Sequence, residues 1–133
     1  MIEKIIYSLL SNSTAVTALV NTRIYPLIRD QADGLPAITY QTISGIRDYD
    51  LGGPNGLVDA RVQINCFAAT QLGAAELSAV VRNLLNGFKG GAAGYTVDCM
   101  LLDDESDLPV FDMENEAMNV YAKTMDFFVQ YKE

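Results

Sequence analysis

Apolar residues recur along this chain with two periods, and the switches between them mark out the elements. Residues 2–11, IEKIIYSLLS, place Ile2, Ile5, Ile6 and Leu9 at steps of three and four, the spacing that lines one face of a helix. NST breaks that run. Ser13 or Thr14 then caps a second short helix through Ala15, Val16, Leu19 and Val20, with Asn21 as its stop. The stretch TRIYPLIRDQADGLP holds Pro26, Gly34 and Pro36 and reads as irregular. Residues 37–44, AITYQTIS, are rich in the residue types that suit a pleated strand. A loop is expected over 45–56. The cleanest alternation in the chain follows, at 57–68. Val58, Ala60, Val62, Ile64 and Cys66 point one way; Asp59, Arg61, Gln63 and Asn65 point the other.

A third helix is expected over 71–88, where Leu77, Val80, Val81, Leu84, Leu85 and Phe88 form a stripe. Thr70 suits its start and Gly87 its end. KGGAAG reads as a flexible connector. A strand over 95–103 carries Tyr95, Val97, Cys99 and Leu101 on one face. An acidic loop, 103–116, separates it from a long last strand over 117–132. The predicted order is α-α-β-β-α-β-β. That order describes one α+β domain spanning residues 1–133, a two-layer fold with helices on one face of a mostly antiparallel four-stranded sheet.

Composition narrows the chemistry. The chain has 133 residues, enough for a single core. Its net charge is −8 with only nine Lys and Arg, the opposite of the basic footprint that grips nucleic acid. DNA near such a protein passes by and is not held. No apolar run approaches the roughly 20 residues of a membrane span, and the N-terminus lacks the features of a signal peptide; the expected location is the cytosol. The chain has no His, which removes the usual general base and the commonest metal ligand. Cys66 and Cys99 belong to no paired-cysteine metal motif. Both are expected as reduced, buried residues of strands that are plausible neighbours. No cofactor, metal site or catalytic group is expected.

Two stretches invite a sharper reading. LGGPNG, at 51–56, has the glycines of a phosphate loop, but a strand follows it and no Lys-Ser or Lys-Thr pair is present. Pro54-Asn55-Gly56 suits a turn instead, at the tip of a hairpin arm. Tyr49, between Asp48 and Asp50, is the tyrosine expected to be exposed there. DDESD, at 103–107, offers oxygens to a hard cation but lacks the spacing and glycine of a calcium loop; a solvated acidic loop is the simpler reading.

Taken in order, TALVNTRIYPLI, LPAITYQTISG, GLVDARVQINCFAAT, LLNGFKG and AKTMDFFVQYKE resemble the small tail-completion, tail-terminator-like proteins of long-tailed bacteriophages and prophages. The acidic segment 103–116 departs from that pattern. The resemblance implies a structural, non-enzymatic virion protein. It would cap the head-proximal end of the tail tube as a homo-oligomeric, six-fold ring, stop tube growth and help join head to tail. It would form in the cytoplasm of the bacterial host and end in the virion tail or neck. Its partners would be its own copies, the tail tube protein and a head-tail connector protein. DNA would pass through unbound, and no membrane would be involved. The alternatives are another neck or head-completion connector protein and, from a different class, a small-ligand-binding regulatory α+β domain. The residues expected at an interface are Asp48, Tyr49, Asp50, Gly52, Gly53, Pro54 and Asn55 in the arm, with Asp59 and Arg61 on the polar face of the following strand.

Overall fold

The computed structural model describes residues 1–27, 34–109 and 120–133. Among these residues, three helices, α1 (Ile2–Ser11), α2 (Thr14–Val20) and α3 (Gln71–Leu85), accompany six strands: β1 (Ile24–Pro26), β2 (Ala37–Asp50), β3 (Gly53–Ala68), β4 (Gly90–Ala92), β5 (Tyr95–Pro109) and β6 (Tyr121–Lys132). The strands form one sheet in the order β1-β2-β3-β6-β5-β4. Its pairings are antiparallel except between β1 and β2, where Ile24, Tyr25 and Pro26 run parallel to Ile38, Thr39 and Tyr40.

The expected four-stranded, mainly antiparallel two-layer fold is therefore wrong. The protein is mostly sheet, and that sheet is six-stranded, mixed and curled. The two missed strands explain the error. β1 and β4 are three residues each, too short for alternation to show. One lies in a Pro-containing stretch and the other in a run of Gly and Ala, both read as irregular. The curl has a visible consequence: α1 touches β1 and β2 near one edge of the sheet and β4 at the other edge.

The helices form near where the apolar stripes predicted them, but α1 fully buries Leu10 and only half buries the expected Leu9, and α3 ends at Leu85 instead of reaching Phe88. Ser13 Oγ accepts from Val16 N at 3.4 Å and Thr70 Oγ1 accepts from Gly73 N at 3.0 Å, each capping a helix start. Ile2, Ile5, Ile6 and Leu10 of α1 are buried, as are Leu77, Val81 and Leu85 of α3. They pack on the face of β3 that carries Val58, Ala60, Val62, Ile64 and Cys66. Met125, Phe127, Val129 and Tyr131 of β6 complete this face.

β5 departs from the alternation read in the sequence. Tyr95 and Val97 face the core, but a register shift between Val97 and Cys99 turns the strand over. Met100 becomes the fully buried residue, and Cys99 and Leu101 face outward with Leu101 exposed. A bulge inserts one residue and exchanges the two faces of a strand. A second shift between Leu102 and Asp104 follows. The expected acidic loop is corrected in its first half, since residues 103–109 continue β5. Residues 110–116 of that loop, 117–119 of the expected last strand and 28–33 of the connector lie outside the described residues. The two cysteines are not on neighbouring strands either. Cys66 lies across from Lys123 and Cys99 from Gln130, roughly 20 Å apart along β6 at the rise of a strand and on opposite faces.

Candidate functional site

β2 and β3 are the longest pair in the sheet, and they run on beyond the strands beside them. Neither a phosphate loop nor the long connection expected over 45–56 exists. β2 continues to Asp50, β3 begins at Gly53, and the turn is Leu51-Gly52. Asp50 Oδ1 accepts from Gly52 N at 2.8 Å and fixes this turn, a local bond typical of Asp.

Pro54-Asn55-Gly56, expected as the turn, instead forms an irregularity in β3. Register passes from Tyr49↔Pro54 to Arg47↔Val58, so Asn55, Gly56 and Leu57 oppose Asp48 alone. The extra residues are accommodated by Gly56 at φ +85°, a conformation glycine adopts without strain. Asn55 ties the irregularity together. Its Oδ1 accepts from Leu57 N at 3.0 Å and its Nδ2 donates to Asp48 Oδ2 at 2.6 Å.

The base of the arm is fastened to the body. Arg47 Nη2 donates to Glu133 Oε1 at 2.8 Å, Glu133 N donates to Gly56 O at 2.9 Å, and Thr42 Oγ1 donates to Glu3 Oε1 at 3.2 Å. Among the described residues, beyond Arg47 and Leu57 only the two chain segments of the hairpin pair with each other. The tip carries Tyr49, 64% exposed, and Leu51, fully exposed, flanked by Asp48 and Asp50. Ile43 and Ile46 extend the exposed apolar surface down β2. Asp48, Tyr49, Asp50, Gly52, Gly53, Pro54 and Asn55 are thus gathered at one end of the molecule.

Asp59 and Arg61 lie elsewhere, on the sheet face opposite the helices. Arg61 Nη1 meets Asp103 Oδ2 at 2.6 Å, and that bond holds the guanidinium pKa above its ordinary value. On the same face Asp104 and Asp126 sit directly across from each other, beside Gln63, a like-charge pairing that a fold alone does not favour. One oxygen each of Asp59 and Asn65 is enclosed without a hydrogen-bond partner among the described residues.

DDESD does not gather around a point. Asp103 bonds Arg61, while Glu105 turns inward to Arg82 Nη1 at 2.8 Å and Ser78 Oγ at 3.3 Å. Among the described residues no group of acidic or Cys side chains could hold a metal ion. Nor is any helix among them long and apolar enough to cross a membrane.

A surface groove the sequence did not reveal lies beside the C-terminal half of α1. Leu9, Leu84 and Ala92 give it apolar walls, and Ser8, Asn12 and the Gly91–Ala93 backbone complete it, with a volume of about 520 Å³. It forms where the curled sheet brings β4 against α1, which also packs on α3, so that Leu84 of α3 and Gly91–Ala93 line one groove, a long-range meeting with no local signature. A second groove of about 570 Å³ runs under the arm base between Ile2, Val58, Tyr95 and Tyr131; the two tyrosine rings there meet edge to face at 6.0 Å.

The fold matches a chain in the virion of a native gene transfer agent particle with a TM-score of 0.73. That alignment covers 96% of this chain and 92% of that one at 14% identity, a likeness of fold. No curated protein matches the chain. The family model described as tail completion protein gp17 matches residues 4–112, most of the sequence. The chain therefore belongs to the tail completion protein gp17 family and is a structural protein of a phage tail, not an enzyme.

Proposed function

We propose that this protein closes the head-proximal end of a phage tail tube as a ring of identical subunits, six-fold in number, ending tube growth and presenting a surface to the head connector. The observation that carries this reading is the arm. A hairpin fastened at its base by three hydrogen bonds presents Tyr49 and Leu51 to solvent. Apolar side chains held at the end of a rigid element suit a contact with another protein. A ring needs such a heterologous contact, in which one surface of each subunit meets a different surface of the next.

The sheet face away from the helices fits passage of DNA without capture. It carries Asp59, Asp103, Asp104 and Asp126 against Arg61 and Lys132. This net negative charge repels a phosphate backbone.

The test is the double substitution Tyr49→Ser and Leu51→Ser. Both side chains are exposed, so thermal stability should change by no more than about 0.5 kcal/mol, while joining of heads to tails in a complementation assay is lost. Normal infectious particles from the double variant would show that the arm tip makes no essential contact.

A further inference from the structure

We infer that the arm tip of one subunit docks into the groove between α1, α3 and β4 of the next, so that the ring is built from tip-to-groove contacts between copies of this chain. The inference rests on the ring reading and names the two surfaces that would make it.

Charge is the first argument. The tip is acidic as well as apolar, with Asp48 and Asp50 on either side of Tyr49 and beside Leu51. Asn55 holds one oxygen of Asp48 and the Gly52 amide holds one of Asp50, leaving the other oxygen of each carboxylate for a partner. On a chain of net charge −8, few places attract such a tip. The groove is one: no charged residue lines it, and two lysines flank it. Lys4 lies one turn before Ser8 on the same stripe of α1, and Lys89 lies two residues before Gly91. Both are exposed, and neither has an ion-pair partner among the described residues. The nearest acid on α1, Glu3, lies on the other flank of the helix and is engaged by Thr42. By contrast, the groove under the arm is rimmed by Glu3 and Glu133 as well as Arg47, and offers an acidic tip no net attraction.

Shape is the second argument. Gly91, Ala92 and Ala93 add little bulk to one wall, and Leu9 and Leu84 offer apolar contact. The volume of about 520 Å³ admits a leucine and a tyrosine side chain together. Leu51 is fully exposed at the tip, and Tyr49 stays mostly exposed although it borders a small cleft with Pro54, Leu57 and Val58 of its own chain. Such a contact joins an apolar anchor in a pocket to a charged rim, the division in which the anchor supplies affinity and the rim supplies specificity and speed. It is also heterologous, as ring closure requires.

Two experiments decide it. In a Cys99→Ala background, Leu51→Cys chains are mixed with Ser8→Cys chains under mild oxidation, in solution and on tail tubes. Each chain carries one accessible thiol, so a covalent dimer of unlike chains reports a contact between copies. The second variant is Lys4→Glu with Lys89→Glu, whose side chains are exposed and whose melting temperature should be unchanged. The inference expects the cross-linked dimer and, in the double lysine variant, loss of the ring at concentrations where the unsubstituted chain forms it. A ring that persists in the lysine variant and yields no such cross-link overturns the docking site while leaving the ring reading in place. Photo-cross-linking to the tube protein of a Leu51→Cys chain whose thiol carries a benzophenone maleimide instead assigns the tip to that partner and also overturns it. A monomer in solution and on tubes defeats both.

Discussion

Glu105 shows how a single residue is misread when its strand is misread. Within DDESD it looks like one more solvated acid, yet the shift between Leu102 and Asp104 turns it to the helix side. There it accepts from Arg82 and from the buried Ser78, with Lys123 at 3.9 Å, and ties α3 to β5 and β6. Truncation would leave the half-buried Arg82 guanidinium without its acceptor, while Ser78 keeps Ala75 O at 2.8 Å and Lys123 keeps Asp107 at 3.7 Å. Glu105→Ala should therefore lower unfolding stability by about 1–3 kcal/mol. Arg47→Ala, which breaks an exposed pair, should lower it by no more than about 1 kcal/mol. Urea titrations of the two variants check this, and equal losses would remove the clamp from the account. Residues in regular alternation were legible: Val58 through Cys66 face the core as their spacing indicates, because β3 has no irregularity there. Cys99 and Leu101 were not, because one inserted residue is invisible to a period of two.

At the scale of elements, long periodic segments announced themselves and short ones did not. α1 and α3 follow their apolar stripes, with caps at the residues expected for α2 and α3. β1 and β4 are held by their neighbours in the sheet, and nothing local marks them. The arm was half legible. Its glycines indicated a hairpin tip, and Tyr49 is exposed there. The turn position was missed because Pro54-Asn55-Gly56 is good turn chemistry used here for an irregularity beside the turn. Gly56 carries the positive φ, and a Cβ there would sit 3.5 Å from Glu133 O. Gly56→Ala should thus cost about 1 kcal/mol or more and loosen the arm base. Faster exchange of the Glu133 amide, which Gly56 O accepts, is the expected readout; unchanged protection would show that the irregularity does not hold the arm.

For the whole molecule, the core contains three acids whose ionisation burial opposes: Cys66, Tyr40 and Tyr131. Burial is the main cause that raises each pKa, helped by Glu105 at the thiol, by Tyr7 at Tyr40 and by Glu133 at Tyr131. A pKa raised on folding contributes stability that is complete below the unfolded value and lost as pH climbs toward the folded one. Those unfolded values are 9.0 for the thiol and 10.0 for the phenols. The melting temperature should hold from pH 7 to about pH 9 and fall above it; a flat profile to about pH 11 would mean these groups ionise freely in the fold. Membership in a tail completion family places the protein in a tail. The ring is what the resemblance to tail-terminator-like proteins implies, and the exposed arm offers it a surface for contact. The most direct measurement is electron microscopy of tail tubes grown without this protein and then mixed with it. The account predicts ring-shaped density at one end only of each tube, with no further elongation when tube protein is added. Bare ends, or tubes that keep growing, would contradict it.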